Sequence, residues 1–421
     1  MYGGLSMGCC DVKGLMPLEQ ALAQMQASLS NVCEAVTLPL SQALGFALAD
    51  DIKSPLNVPH FNNSAMDGYA VNQSDLKNCS ADNPTMLQLV GKSFAGAPYS
   101  GTLAKGCCIR IMKGAVMPSC ADTVVMQERT LSKGNCITFN QYPELADNVR
   151  LAGEDLQQGQ VFLHKGHKLT PRDIPLIASL GIANIAVFRK LKVAVISSGD
   201  ELKSLHETLG EGDIYDSNRY SIIALLSRLN VEVIDFGIVK DDKNSLRDVF
   251  SKADSQADVV ISSGGVSVGE ADYIKEILAE MGSISFWKLA IKPGKPFAFG
   301  KLPSSVFFGL PGNPVSAMVT LYQLAVPAMQ TLAGLQAKPA IRFNAIASHK
   351  LKKSVGRTDF QRATYSVDDT GQLVVASTGN QGSGVFSSMS QSNCFIVLEQ
   401  TRGNVEAGET VTIEPYNALM D

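Results

Sequence analysis

Residues 259–272 read Val259-Val260-Ile261-Ser262-Ser263-Gly264-Gly265-Val266-Ser267-Val268-Gly269-Glu270-Ala271-Asp272. The run Val259–Ser262 has the length and composition of a buried strand, and Glu270–Met281 has the spacing of an amphipathic helix. Between them, adjacent glycines let backbone N–H groups turn inward. Ser263 and Ser267 add hydroxyl donors, and the helix offers its positive end. A tight strand-to-helix turn needs glycine anyway, so this loop alone leaves an oxyanion cradle and a plain connector both open. Further strand-length runs at Val193–Ser197, Val231–Val239 and Val306–Gly309 alternate with helical stretches at Ser221–Leu229, Asn244–Ala253 and Pro314–Leu332. That alternation predicts a parallel sheet with helices on both faces.

Ligands of open parallel sheets lie beyond the carboxyl ends of the strands. Here those ends run into Ser197-Ser198-Gly199-Asp200-Glu201, Asp241-Asp242, the Ser263–Asp272 loop and Gly309-Leu310-Pro311-Gly312-Asn313-Pro314. Glu201, Asp241 and Asp272 are thereby expected on one rim, where carboxylates suit a hard cation such as Mg²⁺. Singly, each acid also has a structural reading: Asp272 as the charge at a helix N-terminus, Asp241 as an N-cap. Lys292 and Lys295, in Trp287-Lys288-Leu289-Ala290-Ile291-Lys292-Pro293-Gly294-Lys295-Pro296, are expected to project from a stiff turn as point charges for a dianion.

Outside this region, residues from Leu15 to about Lys53 read as helical, and Leu169–Leu180 as a second helix ending at Gly181. From Pro59 to Arg150 short apolar runs broken by Gly, Pro and Asn predict a small β domain, inserted between the two helical parts. After Gly334, strands are expected at Ile341–Leu351, Gln361–Ser366, Leu373–Ala376, Cys394–Leu398 and Thr410–Ile413. The fold class is therefore multidomain α/β: a central parallel α/β domain, an inserted β domain and a C-terminal β domain. The expected boundaries are 15–53 plus 151–190, 54–150, 191–334 and 335–421.

The chain has 421 residues, 45% of them apolar and 18% charged, and a net charge of −4, which gives no electrostatic reason to expect nucleic acid as a partner. No run approaches the ~18 apolar residues of a membrane helix. Met1–Gly14 shows no basic region ahead of an apolar core, so no secretory leader is expected. The nine cysteines show neither a CxxC pair nor histidines at zinc-binding distance, and are expected to be reduced structural thiols of a cytoplasmic protein.

Asn63–Val71, Gly153-Glu154-Asp155, Ser198–Leu202, Ser262–Tyr273, Lys292–Gly300, Gly309–Ala317, Asp359-Phe360-Gln361-Arg362, Gly382-Ser383 and Asn393-Cys394-Phe395 together resemble the MoeA-type molybdopterin molybdenumtransferases, relatives of the gephyrin E domain. The resemblance runs from about Leu15 to Leu419. It implies a four-domain homodimer with its site in a cleft between subunits, a molybdopterin-binding-like central domain, and Mg²⁺-assisted reaction of molybdate with adenylylated molybdopterin to give the cofactor and AMP. Carried over by motif, Asp67, Glu201, Asp241 and Asp272 are the catalytic acids, the last three also holding metal. Lys288 and Lys292 contact substrate anions, Pro311 and Pro314 shape the molybdate pocket, and Arg362 and Ser383 come from the C-terminal domain. From the loop and turn chemistry above, Ser263, Gly264, Gly265, Ser267 and Lys295 join the expected substrate-binding set. The molybdopterin adenylyltransferase and cofactor-accepting enzymes are the protein partners the resemblance suggests. One departure stands out: Lys113 in Arg110-Ile111-Met112-Lys113-Gly114-Ala115 occupies a place where relatives commonly carry threonine.

Two rival functions fit parts of the pattern. Adenylylation of molybdopterin uses one such α/β domain alone, and the Asp67 motif and C-terminal β domain argue against it. A peptide-binding scaffold has no need of acids at the strand ends.

Overall fold

A computed structural model describes residues 14–264, 273–336, 338–417 and 419–420. The chain divides into two compact units, one of residues 50–165 and 171–184, the other of the remainder.

In the larger unit, β1 (Leu191–Ser198), β2 (Val231–Val239), β3 (Val259–Ser263) and β6 (Val306–Leu310) pair in parallel in the order β2-β1-β3-β6. Val193, Val195, Val259, Ile261 and Phe308 join the core on one face, with Ile222, Leu225 and Leu226 of α2 (Ser217–Ser227). Ala194, Ile196, Val260 and Phe307 join the core on the other, with α3 (Lys243–Gln256) and α4 (Tyr273–Met281). Strands covered on both faces read as near-continuous apolar runs, as β1, β3 and β6 do, while the edge strand β2 carries the exposed Glu232 and Asp235.

The sheet is mixed, not wholly parallel as expected. β4 (Ser283–Lys288) and β5 (Pro296–Lys301) extend it beyond β6 as an antiparallel pair. Proline, glycine and lysine between the two strands mask that hairpin in the sequence. After β6 a single helical path runs from α5 (Pro314–Thr320) to α6 (Val326–Leu332) through a π turn over Leu321–Ala325.

The N-terminal helix α1 spans only Leu18–Ser28. Helix was expected to Lys53, but the chain is already extended at Leu29, and beyond it the Asn31 carboxamide accepts the Cys33 N–H in a local turn. The β-branched run Ala35–Pro39 is extended. The later helix is likewise shorter than expected, Asp173–Ser179.

All five expected C-terminal strands are present: β7 (Phe343–Ala347), β8 (Thr358–Val367), β9 (Leu373–Ser377), β10 (Cys394–Leu398) and β11 (Thr410–Pro415). Pairing of β10 back to β8 closes them into a barrel around Ala345, Val375, Ile396 and Ile413. On its outer side Phe360, Phe395 and Val397 merge with the α/β core, and Ile291–Lys292 adds a short parallel strand beside Thr358–Asp359.

The smaller unit holds a six-stranded sheet in which Gly68–Val71 lies between Thr123–Met126 and Cys107–Ile111. Gly68 is required there: a Cβ would lie 2.1 Å from the Val125 carbonyl oxygen. The described cysteines are free, and burial pushes Cys108 and Cys394 up to about 12, as structural thiols should be. No helix of the described residues is long and apolar enough to cross a membrane.

Arg189 anchors the entry to β1. Its guanidinium forks onto Asp258 at 2.7 and 2.9 Å and reaches Glu34 at 3.0 Å. Burial pushes the Asp258 carboxyl up, but the hydrogen bonds from Arg189 and the Lys192 N–H, with the charges of both residues, together outweigh it and hold the group below its ordinary range. A depressed carboxyl stabilises the fold above its unfolded pKa and loses that contribution as pH falls through the folded value. Arg189→Met should cost about 1–3 kcal/mol at neutral pH, read as a lower urea midpoint, with the deficit shrinking in acid. An unchanged midpoint at pH 7 would show the clamp to be inert.

Candidate anion and metal site

Parallel pairing sets Ser197, Ser263 and Leu310 side by side across β1, β3 and β6. Beyond them the chain turns at Gly264, whose φ of +93° favours glycine and whose Cβ would lie 2.6 Å from the Ser198 carbonyl oxygen. The Gly264 N–H donates to the Leu310 carbonyl at 3.3 Å, joining two strand ends.

A third element ties this edge together. Asn218, near the start of α2, donates through Nδ2 to the Ser263 hydroxyl at 2.9 Å and to the Gly312 carbonyl at 2.7 Å. Its Oδ1, with the hydroxyls of Ser197 and Ser262, is buried and without a hydrogen-bond partner among the described residues. A buried unpaired polar atom costs roughly 1–3 kcal/mol, so a ligand donor or acceptor at this edge would relieve real strain.

The neighbouring edge is acidic. Asp241 accepts the Ser198 hydroxyl at 3.4 Å, and its backbone N–H donates to Asp200 at 3.2 Å. Burial and then the charge of Asp200 raise its carboxyl above the usual range, against the Ser198 hydrogen bond, with Glu201 and Asp242 adding to the rise. The adjacent acid behaves oppositely. Asp242 caps α3, accepting the Asn244 and Ser245 N–H groups at 3.1 and 3.0 Å, and hydrogen bonding to Ser245 first of all lowers its carboxyl. Helix capping thus falls to Asp242, and Asp241 is left to the acidic cluster. Among the described residues no three His, Cys, Asp or Glu side chains gather as a metal-binding group. Asp272, Gly265 and Ser267 lie outside the described residues.

The barrel adds its own part. Arg362 is fully buried, donating to the Ser388 hydroxyl and the Gly382 carbonyl, each at 3.0 Å, and burial lowers its pKa. It braces the turn whose next carbonyl, that of Ser383, accepts the Val315 N–H at 3.1 Å. Val315 follows Pro314, so the barrel turn meets the first turn of α5 just past Pro311. Lys292 pairs with the buried Asp359 at 3.6 Å and is half-exposed; Lys288 and Lys295 are exposed. Of the two lysines expected to project from the stiff turn, Lys295 is exposed and Lys292 is paired with an acid.

Asp67 belongs to the smaller unit. Its Oδ1 accepts the backbone N–H of Lys113 at 2.8 Å, so the side chain at 113 plays no part in that bond. Sequence reading missed Asn218, and it placed Ser198, Asp200 and Asp359 within motifs without giving them a role of their own. Asp216-Ser217-Asn218 carries a helix-start signal, with Asp216 accepting the Arg219 N–H, but the apolar period draws the predicted start to Ser221.

A family model described as MoeA N-terminal region (domain I and II) matches residues 16–181, one described as probable molybdopterin binding domain matches 194–331, and one described as MoeA C-terminal region (domain IV) matches 344–416. The chain is 50% identical over 408 residues to the molybdopterin molybdenumtransferase of Haemophilus influenzae, covering 96% of this chain and 100% of that protein. It is 37% identical to the molybdopterin molybdenumtransferase of a Nostoc species over 88% of this chain and 86% of that one. Among solved structures it resembles the molybdopterin biosynthesis moeA protein from Pyrococcus horikoshii OT3, with a TM-score of 0.84 and 27% identity across 96% of this chain and 100% of that one.

Two outcomes follow from this geometry. A carboxyl raised by burial and by like charges weakens the fold once ionised, so the penalty grows as pH climbs through the carboxylate range and persists at neutrality. Asp241→Asn should therefore raise the melting temperature in EDTA at pH 7.5 by roughly 1–2 °C; a fall would mean that the cluster is not frustrated. Lys113→Thr should leave the Asp67 contact and turnover within about twofold, whereas Lys113→Pro, lacking the N–H, should not. Equal activity of the two variants would remove the backbone contact from consideration.

Proposed function

The chain belongs to the MoeA family of molybdopterin molybdenumtransferases, and from that footing we propose that it inserts molybdenum, supplied as molybdate, into adenylylated molybdopterin with release of AMP. It is an enzyme of molybdenum-cofactor biosynthesis. The observation that carries the finer reading is the meeting of Ser263, Gly312 and the Ser383 turn beside the acidic Asp200–Asp241 pair at one sheet edge.

In this reading the Ser263 hydroxyl and the loop through Gly264, Gly265 and Ser267 hold an oxyanion, with Gly264 setting the turn, and Pro311 and Pro314 shape its surroundings. Ser383 joins them from the barrel, with Arg362 bracing its turn. Lys288, Lys292 and Lys295 lower the potential felt by phosphate and molybdate oxygens. Asp67 serves as a further catalytic acid, its carboxylate fixed through the Lys113 amide.

The proposed cofactor is Mg²⁺, held by Glu201, Asp241 and Asp272. The donors fit: they are hard carboxylate oxygens, and Asp241 is raised by burial and then by the charges of Asp200 and Glu201, a repulsion that a cation would remove. When bound, the ion offsets negative charge on the phosphate oxygens. A four-domain partition with the boundaries given above, a cytoplasmic homodimer, and contacts with the molybdopterin adenylyltransferase and cofactor-accepting enzymes complete the proposal.

The test supplies purified protein with adenylylated molybdopterin, molybdate and Mg²⁺, and follows AMP release and molybdenum incorporation. Asp67→Asn and Glu201→Gln should each slow AMP release at least roughly 100-fold, with no change in oligomeric state. Full turnover by both variants, or consumption of ATP in place of AMP release, would overturn the assignment.

A further inference from the structure

Asn218 sits where no motif points, and its hydrogen bonds fix its chemistry. Gly312 offers a carbonyl, which can only accept, so the nitrogen of the Asn218 carboxamide must face it. The same nitrogen lies 2.9 Å from Ser263 Oγ. Its two hydrogens are thereby assigned, one to each acceptor.

The consequence falls on Ser263. A hydroxyl carries one donor hydrogen and two lone pairs. With a lone pair taken by Asn218, the Ser263 hydrogen points elsewhere, and among the described residues no acceptor receives it. Ser263 is 3% exposed, so bulk water is a poor substitute. Asn218 Oδ1 is also buried and unpartnered. We infer that Asn218 is a positioning residue: by bridging Gly312 and Ser263 it locks two strand ends together and leaves the Ser263 hydroxyl as a donor to a tetrahedral oxyanion. This inference rests on the reading of Ser263 as an oxyanion ligand.

The near-isosteric change Asn218→Asp reverses the polarity. A carboxylate oxygen faces the Gly312 carbonyl in repulsion and accepts the Ser263 proton, withdrawing it from the ligand. Asn218→Ala removes the bridge without reversing it. Two oxyanions, molybdate and the phosphate of AMP, share the chemistry that Ser263 recognises, so each is titrated separately by calorimetry into the full-length protein.

The expected result is that Ser263→Ala weakens one of the two anions about tenfold. Asn218→Ala should weaken the same anion by a similar factor, and Asn218→Asp by more. The double variant Asn218→Ala/Ser263→Ala should bind no worse than Ser263→Ala alone, because one residue acts through the other. A merely structural role for Asn218 predicts multiplicative losses, or losses for both anions alike, and either result overturns the inference while leaving Ser263 as a ligand. If Ser263→Ala binds both anions as the parent does, the site reading fails and takes this inference with it. Should Asn218→Asp not fold, the alanine cycle alone decides between these outcomes.

Discussion

Parallel pairing of four strands in fixed register is the constraint from which the chemistry of this protein follows. It brings Ser197, Ser263 and Leu310 into line and hands four chain ends to one edge. Along most of their length the strands are apolar on both faces, since helices cover both. In β1 and β3 the serines enter only where that cover ends. The unpartnered hydroxyls of Ser197 and Ser262 and the Asn218 oxygen all lie at this edge, and so does the raised carboxyl of Asp241. Stability is given up where a ligand can restore it, a common arrangement at functional sites.

The C-terminal barrel is coupled to that edge through polar contacts as well as shared core. Phe360 and Phe395 pack into the α/β layer, and on the same strand as Phe360 the buried Arg362 supports the Gly382–Ser383 turn against α5. The Lys292–Asp359 pair joins the same two layers. Burying a guanidinium is costly unless its donors are satisfied. Here two of them meet a carbonyl and a hydroxyl, and the result is a fixed turn at the start of a helix whose own first N–H groups need partners.

Much of this was legible in sequence, and the parts that were not have physical reasons. Continuous apolar runs such as Val193–Ser197 and Val259–Ser262 have strand length and strand composition, and glycine and acid at their ends mark the rim. Five C-terminal strands showed through the glycines that separate them. The β4–β5 hairpin was hidden because Pro293, Gly294 and Pro296 imply a loop whatever flanks them. The N-terminal helix was overextended because Val36 and Leu38 suit helix and strand alike in so short a run, and the chain leaves the helix at Leu29, ahead of them. Which of Asp241 and Asp242 would cap the helix depends on one residue of register, finer than periodicity resolves. Asn218 was invisible for a related reason: its role is defined by Ser263 and Gly312, distant in sequence and brought close only by the sheet.

The sheet edge as an oxyanion site is tested most directly by anomalous scattering at the molybdenum edge from crystals soaked in molybdate with AMP. The predicted result is a molybdenum peak whose oxygens come within about 3 Å of donors among Ser263, the Gly312–Val315 turn and Ser383. A well-occupied peak elsewhere on the molecule, with this edge empty, would contradict it.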